Sequence, residues 1–151
     1  MRFIAEQIAI CPKDPAAARA LLTALGAIQW SDDKVTAHGL VHGEQSTNVA
    51  NLAFNYELIS GKEFEILDYE SGPNWMEGIV GVSHFGVHCT PGELLQWRAF
   101  FAERGIRVAQ EVLTLKHTNP AIAGKRRYQY VIFDTRAVLG VDLKFIIRIG
   151  G

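Results

Sequence analysis

The chain has 151 residues, 48% hydrophobic and 21% charged, which is enough for one domain, or two tightly joined half-domains, with a real core. A net charge of −1 argues against a nucleic-acid or anionic-membrane surface, and Gly124-Lys125-Arg126-Arg127 is too short a basic cluster to change that reading. Two cysteines, Cys11 and Cys89, make no disulfide framework, no stretch approaches the ~18 apolar residues of a membrane span, and Glu6 interrupts any signal-peptide core, so a cytoplasmic protein is expected.

In chain order, Phe3–Cys11 reads as a strand. Asp14 is placed to cap a helix with Pro15 at its first position, and Gly26 suits the turn that ends it. The period then falls toward two. Ala27–Trp30 and Val35–Val41 read as strands around a Ser31-Asp32-Asp33 turn; Val49–Ile59 and Glu63–Tyr69 follow, joined by a tight turn at Ser60-Gly61-Lys62. Ser71-Gly72-Pro73-Asn74 reads as a linker. Ile79–Cys89 is the next strand. Thr90, Pro91 and Glu93 form a capping box, and Leu94, Trp97 and Phe101 share the apolar face of the helix that Gly105 closes. Arg107–Thr114, Tyr128–Asp134 and Val141–Ile149 complete the strands, with a turn near Leu139-Gly140.

The second half repeats the first. Pro15 and Pro91 lie 76 positions apart (91 − 15), and Gly26 and Gly105 lie 79 apart (105 − 26). Each half reads as βαβββ, dividing the chain into modules 1–72 and 73–151. The fold class is α+β: two βαβββ modules forming a curved mixed sheet, helices on its outer face and a ligand cavity on its concave face. By the same offsets Gln7 corresponds to His84 (84 − 7 = 77) and Glu65 to Lys144 (144 − 65 = 79). Pseudo-twofold symmetry would bring these four side chains together.

The double βαβββ pattern resembles the vicinal oxygen chelate superfamily, which includes glyoxalase I, methylmalonyl-CoA epimerase, extradiol dioxygenases and bleomycin-resistance proteins. Gln7-Ile8-Ala9-Ile10, His84-Phe85-Gly86-Val87-His88 and Phe64-Glu65-Ile66-Leu67 look like that family's metal-bearing strands. The resemblance implies a divalent metal (nickel, zinc or cobalt) held by Gln7, Glu65 and His84. It also implies a homodimer, which agrees with a first helix charged only at Arg19 between Pro15 and Leu25. At the fourth position, where glyoxalase I enzymes carry a carboxylate, this chain has Lys144. A protonated ammonium has no lone pair for a metal. Asp142 shares the strand face of Lys144 and is the alternative oxygen ligand. A plainer reading pairs Lys144 with Glu65 across the module seam.

Two functions from different classes follow. The first is a metal-dependent lyase, isomerase or transferase acting on a small oxygen-chelating substrate, with Lys144 as catalytic base. The second is a metal-free protein that binds or sequesters a small, antibiotic-type molecule. An extradiol dioxygenase ranks last, because only one histidine falls on a ligand position. His88, Tyr56 and Tyr130 are candidate substrate-binding residues. His38, His42 and His117 sit in polar segments and read as surface residues.

Overall fold

A computed structural model of the chain describes residues 1–123 and 127–149, so Gly124, Lys125 and Arg126 of the basic cluster lie outside the described residues. The first module contains β1 (Gln7–Cys11), α1 (Pro15–Ala24), β2 (Ser31–Val41), β3 (Glu44–Ile59) and β4 (Lys62–Ser71). A short helix α2 (Pro73–Glu77) leads to β5 (Gly81–His88), α3 (Pro91–Glu103), β6 (Val108–His117), β7 (Tyr128–Phe133), the single turn α4 (Arg136–Leu139) and β8 (Asp142–Arg148). No described helix is long and apolar enough to cross a membrane.

The helix boundaries follow the side chains that cap them. Asp14 accepts a hydrogen bond from Ala17 N at 3.0 Å ahead of Pro15. Thr90 and Glu93 bond each other's backbone N–H groups in a complete capping box. Gly105 takes φ +69°, the left-handed conformation in which a Cβ is strained.

The eight strands close into one ring in the order β1-β4-β3-β2-β6-β7-β8-β5. Within a module the first strand runs parallel to the last, β1 to β4 and β5 to β8. Between modules like strands meet antiparallel, β1 with β5 and β2 with β6. The sheet is thus curved, mixed and α+β as expected, but it shuts on itself within one chain and leaves no open edge.

Three boundaries differ from the sequence reading. Ser31-Asp32-Asp33 is not a turn: the three residues pair with Phe54, Ala53 and Leu52 as the start of β2. Their polarity is satisfied inside the strand, because the buried Asp33 carboxylate collects donors from residues 117–119. Ala27–Trp30 is not a strand; the Glu57 side chain takes the backbone N–H groups of Ile28 and Gln29 that a ladder would use. The expected linker at 71–74 is the end of β4 followed by α2.

The main core lies in the second module between α3 and the outer face of its strands. Leu94, Trp97 and Phe101 pack on Phe133, Leu143, Phe145 and Ile147. Phe101 stacks on Phe133 at 4.3 Å between ring centres, and Trp97 lies 5.0 Å from Phe145. Burying each large side chain contributes about 1.5–3 kcal/mol. This cluster holds β7 and β8 in place, and so positions the inward residues Tyr130 and Lys144.

Candidate functional site: a polar cluster in an aromatic-walled cavity

Period-two alternation sends one face of every strand into the ring, around a cavity of about 540 Å³. Leu52, Phe54, Leu115, Tyr128, Tyr130 and Ile146 supply apolar wall. One polar cluster lies on the half of the ring formed by β4, β1, β5 and β8, where Gln7, Glu63, Glu65, His84 and Lys144 all line the cavity.

The ladders show why these residues converge. Gln7 pairs with Glu63 and Ala9 with Glu65 in the first module; His84 pairs with Asp142 and Gly86 with Lys144 in the second. Gln7 therefore matches His84, and Glu65 matches Lys144, as the sequence offsets predict. Gln7, Glu65 and His84 are each 4% exposed and Lys144 9%, so any charge among them is held out of bulk water.

Gln7 is the hub. Its Nε2 donates to Glu65 Oε1 at 2.9 Å and to Glu63 Oε2 at 2.6 Å. Its Oε1 faces His84 Nε2 at 3.0 Å, which makes His84 the Nε2–H tautomer; Ser83 Oγ lies 3.2 Å from the other ring nitrogen. Glu63, which the sequence reading passed over, shares Gln7 with Glu65 and sits two residues before it on the same strand face. That spacing was visible in Glu63-Phe64-Glu65.

Gly86 makes room for this hub. A Cβ there would come within 2.8 Å of Gln7 Oε1.

Burial raises the Glu65 carboxyl to about 8, Lys144 opposing the rise and Glu63 adding to it. Burial also holds His84 well below the ordinary imidazole range, with Lys144 and Arg136 pushing the same way. Near neutral pH the Glu65 carboxyl is thus largely protonated and His84 is neutral.

Lys144 does not pair directly with Glu65. Glu65 has His84 as its nearest charged-type contact, at 3.9 Å, while Lys144 Nζ lies 4.2 Å from the centre of the Tyr130 ring. Its ammonium has no hydrogen bond among the described residues, and a cation over an aromatic face is held by the ring's quadrupole instead. Asp142, the alternative oxygen ligand, turns away beside Arg136 at 3.6 Å and lines a small separate cavity behind His84.

The donors present do not fit the divalent metal that the resemblance implies. The Gln7 oxygen and the His84 nitrogen are committed to each other, and the fourth position holds a cation. Among the described residues no three His, Cys, Asp or Glu side chains are grouped closely enough to hold a metal ion.

The candidate substrate-binding residues all line the cavity. Tyr130 is half-buried with its ring under the Lys144 ammonium, and desolvation raises its phenol well above the usual value. Tyr56, 59% exposed, stands at the rim. His88 is exposed and lies edge-to-face with Tyr128, ring centres 5.9 Å apart.

His117 is not a surface residue. It lines the cavity, its side chain is 15% exposed, and its Nδ1 lies 2.7 Å from Asp33 Oδ2. The available signal was alternation: Asp33, Val35 and Ala37 continue one strand face, as do Leu115 and His117. Asp33 itself lies 84 residues away in sequence, which hid the pairing.

Two βαβββ units closing on one cavity are the architecture that the sequence resemblance implies. No family model matches the chain, and no curated protein does. Among solved structures it is similar to the hypothetical protein BH1468 from Bacillus halodurans C-125, at 16% identity over 98% of this chain and 96% of that one, with a TM-score of 0.52. A methylmalonyl-CoA epimerase variant from Streptomyces coelicolor, solved with 2-nitronate-propionyl-CoA, aligns at 12% identity over 97% and 95% of the two chains, with a TM-score of 0.49. At these identities the likeness to BH1468 is one of fold alone.

Proposed function

We propose that this glyoxalase-like chain binds a small carboxylate with an apolar, aromatic body, without a divalent metal as the anchoring group. The observation that carries the reading is Lys144, a buried ammonium that faces an aromatic-walled cavity, rests on Tyr130 and forms no ion pair with Glu65. A buried cation gains most from a ligand that brings the missing negative charge. One ammonium offsets one negative charge. A phosphate dianion would leave excess charge beside Glu63, so a monocarboxylate suits the cavity better. The protonated Glu65 carboxyl would donate to the ligand oxygen not taken by Lys144. Tyr128, Tyr130 and Phe54 would hold the planar part.

Sequestration of an antibiotic-type molecule falls within this reading, as does a cytoplasmic setting. The metal-dependent lyase, isomerase or transferase is the reading that tight metal binding by the native protein would support instead.

Isothermal calorimetry with 3-phenylpropanoate and its uncharged amide tests the proposal. The acid should bind at least about tenfold tighter than the amide, about 1.4 kcal/mol, and Lys144→Met should abolish that difference. Equal binding of acid and amide by the native protein would overturn it.

A further inference from the structure

A second polar group faces the cavity from the β2–β6 seam, across the ring from the β1–β5 seam. In the ring, β2 and β6 adjoin, and two strands separate them from the β1–β5 seam on either side. Asp33 stands near the start of β2 and His117 ends β6, with Val35 paired to His117. The Asp33 side chain is fully buried and divides its two oxygens. Oδ1 accepts from Thr118 N at 2.9 Å, Thr118 Oγ1 at 3.2 Å and Asn119 N at 3.0 Å. Oδ2 is left for the imidazole, 2.7 Å from His117 Nδ1. Burial alone would raise the Asp33 carboxyl, but hydrogen bonds from Asn119, His117 and Thr118 outweigh it and hold the group below its ordinary value.

An ionised Asp33 can only accept, so His117 Nδ1 carries the hydrogen. In the neutral imidazole this makes Nε2 the acceptor. No described residue donates to Nε2. Anchoring the 118–119 turn requires only Oδ1 of Asp33, so the turn does not account for the imidazole.

Resting on the carboxylate reading above, we infer that His117 Nε2 accepts a hydrogen bond from a ligand hydroxyl, so that the cavity takes a two-ended molecule: carboxylate at Lys144, aromatic body between the tyrosines, hydroxyl at His117. The class is the hydroxyaryl carboxylic acids. Asp33 is the positioning residue, setting the tautomer and ring orientation of His117. The arrangement discriminates, because a ligand without the hydroxyl leaves the His117 acceptor without its donor once water is excluded.

The test titrates the native protein with 3-(4-hydroxyphenyl)propanoate, 3-(4-methoxyphenyl)propanoate and 3-phenylpropanoate, and repeats the series with His117→Phe, His117→Gln and Lys144→Met. The native protein should prefer the hydroxy acid at least about tenfold over both others. His117→Phe should remove that preference, bringing the hydroxy acid and 3-phenylpropanoate to within about twofold of each other. His117→Gln, which keeps an acceptor oxygen, should restore part of it. Lys144→Met should weaken all three acids alike. If the native protein binds all three acids equally and Lys144→Met weakens them, the inference about His117 is overturned and the carboxylate reading stands. If no acid binds, or binding ignores Lys144, both are overturned. The native comparison needs no variant to fold.

Discussion

Glu65 is a carboxyl held almost wholly out of water. Its carboxyl titrates near 8 in the folded chain because burial disfavours the anion, whereas 4.5 is its ordinary value. Between those limits the folded state holds a proton that the unfolded state has released. Stability therefore falls as pH rises from about 4.5 toward about 8, and the penalty is complete above that. His84 has the opposite sign in a lower window: its depressed value costs stability as pH falls below 6.5. Subtracting a variant isolates the first effect. Thermal midpoints measured from pH 5 to 9 should decline with pH more steeply in the native protein than in Glu65→Gln, with the variant the more stable at pH 9. Parallel curves would mean that Glu65 is not desolvated. The correspondence of Glu65 with Lys144 was legible from residue offsets alone, because the closing strands repeat at a fixed interval. Their failure to pair directly was not. Offsets place strands, whereas the choice of Tyr130 over Glu65 depends on where the tip of a long, flexible side chain settles.

The two long helices show how the same element serves two modules differently. Helix α3 buries Leu94, Trp97 and Phe101, whereas α1 buries none of its residues. Leu21 and Leu25 are 63% and 72% exposed, with Ile28 at 68% just beyond the helix. The only charged side chain on α1, Arg19, is engaged with Asp32. These observations support the proposal, implied by the resemblance, that the chain forms a homodimer, with α1 in its interface. Since the ring closes within one chain, such a dimer is not needed to complete the cavity. Sedimentation equilibrium at micromolar concentrations should give a dimer, and Leu21→Lys with Leu25→Lys should shift it toward monomer. A native monomer would remove the proposal. Helix limits were readable from sequence because Asp14, Thr90 and Glu93 cap locally. The start of β2 was not, because Ser31-Asp32-Asp33 has the composition of a turn and is strand only through donors from residues 117–119.

At the scale of the molecule, one repeated unit used twice yields a ring whose two seams face each other across a cavity. The repeat was legible as matched prolines and glycines, and with it the fold and the convergence of Gln7, Glu65, His84 and Lys144. The second polar wall was not, since Asp33 and His117 meet only when β2 and β6 pair. The repeat also sets Lys144 opposite Glu65 in the two modules, so a cation faces the cavity. On the carboxylate reading proposed above, exchanging that one charge should invert the preference from acid to metal. Calorimetric titration of the native protein and Lys144→Glu with nickel and with 3-phenylpropanoate is the most direct test. The native protein should bind the acid and bind nickel at least about tenfold more weakly than the variant, a difference of about 1.4 kcal/mol, while the variant should lose the acid. Tight nickel binding by the native protein, unchanged in Lys144→Glu, would contradict the carboxylate reading.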